Sequence, residues 1–226
     1  MNTTAISPKL KCIIFTFLLG TLFISTLFAG EKKMQQVILL GDSIRLGYQT
    51  EVKKNLEGKA STWGPKETCQ DSAFTIKNLD KWLKDKKPDL IYLNCGLHDV
   101  FLGQNGKCRR SDEAYGKNID TIFKKLRTIY PKLPIVFALT TPVDEEKQKS
   151  SKIYGRLVRR NSDITVYNAK AAELAKKYNI RTDDLNSLVV ASDVKTMLIS
   201  GGIHLNSKAK KILGQHIANK ILLSMK

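Results

Sequence analysis

The sequence predicts an α/β fold, a three-layer, doubly wound, five-stranded parallel sheet with helices on both faces. Two observations carry this. Short apolar runs alternate regularly with segments of helical apolar spacing, the pattern of β-strand and crossover helix. One of those runs, Asp89 to Cys95 (DLIYLNC), has the apolar continuity of a strand buried on both sides. Right-handed crossovers then leave few topologies.

The elements follow in order. Gln36 to Leu40 is a short apolar strand ending at Gly41, and Ile44 to Leu56 has helical spacing. Ala60 to Trp63 reads as a weak strand closed by Gly64-Pro65. Thr75 to Lys86 is amphipathic, with Ile76, Leu79, Trp82 and Leu83 on one face. The third strand is Asp89 to Cys95. Ser111 starts a helix that presents Ile119, Ile122, Phe123 and Leu126 on one side, and Pro134 to Thr141 is the fourth strand. Ile164 to Tyr178 is a helix, and Ile180 to Leu185 a short fifth strand. Ser207 to Met225 is the last helix, with Ser207 as the expected N-cap.

Residues 1–30 read differently. Lys9 and Lys11 precede an apolar run from Cys12 to Ala29 without an acidic residue. That is a basic segment followed by a hydrophobic one, the pattern of a signal peptide; the run is also long enough to serve as an N-terminal anchor. The expectation is an exported protein, secreted, periplasmic or in the cell envelope. Residues 31–226 fit one domain.

The formal net charge is +17. Such a charge favours anionic partners: an acidic polysaccharide, a membrane surface or nucleic acid. The lysines are scattered, in pairs such as Lys124-Lys125 and Lys210-Lys211, and aromatics do not interleave with them. That pattern, without a zinc-finger or helix-turn-helix signature, speaks against a specific nucleic-acid partner. Beyond residue 30 the cysteines are Cys69, Cys95 and Cys108, which allow one disulfide and one thiol. No Cys/His spacing suggests a metal site.

In a sheet of this kind ligands bind outside the carboxyl ends of the strands. Four polar segments fall there: Gly41-Asp42-Ser43, Thr68 to Ser72, Gly96-Leu97-His98-Asp99, and Gly201-Gly202-Ile203-His204. A serine at a strand-to-helix turn is either a helix cap or a nucleophile, and the second role needs a base. Of three histidines, His216 lies inside the last helix and reads as a surface or packing residue, whereas His204 sits in a loop at the active edge.

The segment LLGDSIRLGY resembles the first signature of the SGNH (GDSL-type) hydrolases, whose fold is flavodoxin-like and whose Gly-Asp-Ser serine is the nucleophile. The third signature, Gly-x-Asn-Asp, reads here as Gly96-Leu97-His98-Asp99, similar to a branch of the family with Gly-Leu-His-Asp. The fifth, Asp-x-x-His, keeps His204 but has Gly201 in the place of the acid. Counting back from the third signature puts the oxyanion glycine of the second at Cys69.

The resemblance implies Ser43 as nucleophile, His204 as base, and an oxyanion hole of Ser43 N–H, Cys69 N–H and the His98 ring. Asp42 and Asp99 are candidates to support the site. For the missing acid, a backbone carbonyl near Ser200, or Asp193, Asp183 or Asp184, are the candidates. The implied activity is a serine esterase that needs no metal or organic cofactor and acts on small acyl esters, acetyl above all, on carbohydrate. Two alternatives stand beside it. One is a lysophospholipase or thioesterase with a groove from Ile44, Leu46, Leu97, Val100, Phe101 and Leu102. The other is a catalytically weak polysaccharide- or envelope-binding module, which Gly201 and His98 favour.

Overall fold

The computed structural model describes residues 33–226. The N-terminal signal or anchor segment of the sequence reading, residues 1–30, lies outside them. Among the described residues no helix is long and apolar enough to cross a membrane.

Five parallel strands, β1 (Gln35–Leu40), β2 (Ala60–Trp63), β3 (Leu90–Asn94), β4 (Ile135–Ala138) and β5 (Arg181–Asp183), form one sheet in the order β2-β1-β3-β4-β5. This is the flavodoxin-like order, in which the chain reverses direction across the sheet between β1 and β3. The register pairs Leu39 with Tyr92 and Leu93 with Phe137, so the central strands stack apolar residues across the sheet. β3 and β4 are buried along their whole length, which is why their sequences do not alternate.

The helices are α1 (Ser43–Asn55), α2 (Ser72–Leu83), α3 (Asp112–Ile129), α4 (Glu145–Ser150), α5 (Asn161–Lys177), α6 (Leu185–Ala191), α7 (Val194–Met197) and α8 (Ser207–Ser224). α2, α3 and α5 pack in a row, and α1 packs along α8. Right-handed crossovers put these two groups on opposite faces of the sheet. The α1–α8 contact is close because Gly214 has no side chain. A Cβ there would stand 2.3 Å from Cβ of Glu51 on α1.

The structure corrects the sequence reading in several places. α2 starts at Ser72 and α5 at Asn161, each three residues early, because Asp71 caps α2 through Phe74 N–H while polar residues open α5. Ser207 is the first residue of α8 rather than its cap. Asn206 caps the helix, its Oδ1 accepting from Ala209 N–H at 3.0 Å. The short helices α4, α6 and α7 carry no clear amphipathic period and were not expected from the sequence. Cys69, Cys95 and Cys108 are all free, so the disulfide that the sequence allows is not formed.

Candidate active site

The site begins where β1 ends. Gly41 lets the chain turn against β3, since a Cβ there would lie 2.0 Å from Asn94 Oδ1. Asp42 then caps α1. Its Oδ1 accepts from Ile44 N–H and from Asn94 Nδ2, both at 2.9 Å. Because Asp42 does the capping, Ser43 becomes the first helical residue and its hydroxyl is released from that duty. The hydroxyl meets His204, with Oγ and Nε2 3.0 Å apart. The two residues are 161 positions apart in the chain, and the α1–α8 packing is what joins them.

The His204 loop is held from several sides. Leu198 and Leu205 form an antiparallel bridge, and Ile199 N–H donates to the His204 carbonyl at 3.0 Å. Asp144 N–H donates to the Gly202 carbonyl at 2.8 Å, and Lys147 Nζ to the Leu198 carbonyl at 2.9 Å. The imidazole pKa is lowered, first by burial and then by the charge of Arg159, against an opposing pull from Asp42. A neutral imidazole at neutral pH can accept the serine proton.

His98 sits half-buried on the turn after β3, between buried Leu97 and Asp99. Burial lowers its pKa too, with Arg159 and Arg109 pushing the same way and Asp42 opposing. His98 and His204 thus share Asp42 and Arg159 as electrostatic neighbours. Asp99 points away from the cleft and ties this turn to α2. Its carboxylate accepts from Ser72 N–H at 3.0 Å and from the Ser72 hydroxyl, which in turn accepts from Asn118 Nδ2 at 2.8 Å. Burial pushes the Asp99 carboxyl up to about 6.

Cys69 does not supply the donor assigned to it. Its N–H is spent on the Gly41 carbonyl at 2.9 Å, while its Sγ lies 3.1 Å from Gly41 N as acceptor. The next residue, Gln70, has a left-handed backbone at φ 46°, the conformation that glycine adopts most readily. Its N–H makes no hydrogen bond among the described residues. Counting back from the third signature thus goes one residue past Gln70, the residue here with the glycine-like backbone. Only the backbone angle betrays this, because glutamine carries no sequence mark for it.

These features define a hydroxyl–imidazole pair with free backbone donors at the carboxyl edge of a parallel sheet. The sequence model of the GDSL-like Lipase/Acylhydrolase family matches residues 39–212. The chain belongs to this family. A curated relative, the GDSL esterase/lipase CPRD49 of Arabidopsis thaliana, is 29% identical over 106 residues, which span 46% of this chain and 41% of that protein. Among solved structures, the lipase/acylhydrolase from Enterococcus faecalis superposes with a TM-score of 0.69 at 19% identity, over 83% of this chain and 95% of that one. An acetyl xylan esterase, AlAXEase, gives 0.64 at 20% identity, over 84% and 98%. A carbohydrate esterase family 3 protein from Talaromyces cellulolyticus gives 0.60 at 17%, over 85% and 98%. At these identities the structures show a shared fold. The family takes its name from lipase and acylhydrolase chemistry.

Among the described residues of this family member, no carboxylate hydrogen-bonds the His204 imidazole. Among the described residues the His204 ring makes a single hydrogen bond, to Ser43. The candidates for a substitute acid are engaged elsewhere. Asp193 is exposed and caps α7 through Lys195 N–H at 3.1 Å. Asp184 caps α6 through Ser187 N–H at 2.9 Å. Buried Asp183 accepts from the Tyr92 hydroxyl at 2.8 Å and lies 2.7 Å from His216 Nε2. Ser200 is exposed, and its carbonyl makes no bond to the ring. An acid at position 201 would press on a neighbour: a Cβ on Gly201 would stand 3.3 Å from the Tyr154 ring.

Proposed function

We propose that the chain is an exported serine esterase that removes small acyl groups, acetyl above all, from carbohydrate through a Ser43–His204 dyad. The observation that carries this is the 3.0 Å contact between Ser43 Oγ and His204 Nε2, with Asp42 rather than Ser43 capping the helix. Ser43 Oγ attacks the ester carbonyl while His204 takes its proton. The oxyanion is held by Ser43 N–H, Gln70 N–H and the His98 ring, which burial keeps neutral and able to donate one N–H. His204 then protonates the leaving alcohol, and a water that it activates releases the acid.

The small acyl group is supported by the fate of the apolar residues a long-chain groove would use. Ile44, Leu97, Val100 and Leu102 are all buried in the core. That leaves Leu46 and Phe101 half-exposed. The carbohydrate reading is supported by the fold shared with an acetyl xylan esterase and a carbohydrate esterase. Export follows from the basic-then-apolar residues 1–30.

The test is Ser43→Ala against wild type on 4-nitrophenyl acetate, with fluorophosphonate labelling alongside. Wild type is expected to turn over and to be labelled at Ser43, and the variant to do neither. Equal turnover by a folded variant would end the proposal.

A further inference from the structure

Phe101, just after the Gly96–Asp99 turn, is surrounded by positive charge. The guanidinium carbons of Arg159, Arg109 and Arg156 lie 5.2, 5.3 and 5.9 Å from its ring centroid. Each distance suits a cation–π contact. Three like charges on one ring nevertheless repel one another, and acid is scarce around them. Asp71 is shared by Arg110 at 3.3 Å and Arg109 at 3.9 Å. Among the described residues no ion pair involves Arg156 or Arg159.

Arg159 is 6% exposed and built in rather than draped on the surface. Its backbone is clamped by Gln148, itself fully buried. The Gln148 Oε1 accepts from Val158 and Arg159 N–H at 3.0 and 2.9 Å, and its Nε2 donates to the Arg159 carbonyl at 3.2 Å. The Arg159 Nε donates to the Leu97 carbonyl at 2.7 Å, next to His98. Its charge reaches both His98 and His204. A buried, pre-set guanidinium beside a reaction centre offers a planar fork for an oxyanion, with two more arginines at the rim.

We infer that Arg109, Arg156 and Arg159 form an anion subsite beside the Ser43–His204 pair, which takes a carboxylate or phosphate carried on the alcohol half of the ester. The placement on the alcohol half rests on the small-acyl reading above, since an acetyl group has no room for a charge. A sugar carboxylate and a sugar phosphate present the same chemistry to these forks.

The first measurement is calorimetric binding of galacturonate, glucose 6-phosphate and glucose to the full chain carrying Ser43→Ala. At least one anionic sugar is expected to bind about tenfold or more tighter than glucose, the value of one charge-assisted contact; the two anions tell carboxylate from phosphate. Arg109→Gln and Arg156→Gln, both at exposed positions, should each reduce that preference several-fold. Lys124→Gln, on the exposed side of α3, should not. Equal affinity for charged and neutral sugars, or a preference untouched by the double arginine variant, overturns the subsite. The second measurement is wild-type turnover of 4-nitrophenyl acetate. Absence of turnover with the anion preference intact would end the esterase reading and keep the subsite. Turnover without any preference would do the reverse.

Discussion

His204 and His216 divide between them what a catalytic triad holds in one place. His204 has the serine and no acid, and its pKa is lowered by burial and by Arg159. His216 has the acid, Asp183 at 2.7 Å, and no serine; its pKa is raised, first by that hydrogen bond. The contrast teaches that an Asp–His pair alone says little about chemistry. The first arrangement lies at the carboxyl edge of the sheet and sets an imidazole of lowered pKa against a hydroxyl. The second ties the end of β5 to the middle of α8 and serves the fold.

The largest effect that can break this comparison is on rate. His204→Gln is expected to lower kcat/KM on 4-nitrophenyl acetate by about 10³-fold or more, since dyad members act as a unit. His216→Gln should leave it within about twofold. Similar losses from both would erase the distinction.

Next come effects on stability. Gly214→Ala forces a methyl group to within 2.3 Å of Glu51 Cβ, and should cost about 1–3 kcal/mol by denaturant unfolding. Asp183→Ala strips two partners from a buried carboxylate. About 1–3 kcal/mol is expected there too, with esterase activity preserved.

The pH dependences sharpen the contrast because they run in opposite directions. kcat/KM should rise with pH and level off, with a midpoint below about 6.5 because the His204 pKa is lowered. The His216–Asp183 contribution to stability should be full below about pH 6.5 and fade as pH rises through the raised His216 pKa. Melting curves of His216→Gln against wild type at acid and alkaline pH would read it, and a gap that widens with alkalinity would contradict the assignment.

The smallest effect is a partial repair. Gly201→Asp alone meets the Tyr154 ring. Combined with Tyr154→Ala, it should move the kcat/KM midpoint upward, as a carboxylate stabilises the imidazolium. An unchanged midpoint would show that position 201 does not face the ring.

Much of this was legible in the sequence because it depends on local pattern. The apolar runs at 36–40 and 89–95 mark central strands whatever surrounds them, and Ser43 and His204 stand at turns that the strand–helix alternation locates. The rest depends on distance. Whether Ser43 caps its helix or meets a histidine is settled by Asp42 and by α8, far along the chain. Cys69 N–H is taken up by Gly41, and the left-handed backbone falls on Gln70, which a glutamine does not announce in the sequence. Asp183 belongs to His216 because β5 and α8 are neighbours in space, which spacing along the chain does not reveal. Nothing in the sequence distinguishes Arg159 among the 38 basic residues, since only its burial sets it apart.

The packing of α1 on α8 has a consequence for when the protein can act. Its hydroxyl is made early in synthesis and its imidazole near the end, so the reacting pair does not exist until the final helix has docked. A chain still being synthesised already carries its serine yet has no His204 to face it. The Ser43–His204 contact is in this sense a report that the two ends of the domain have closed on each other.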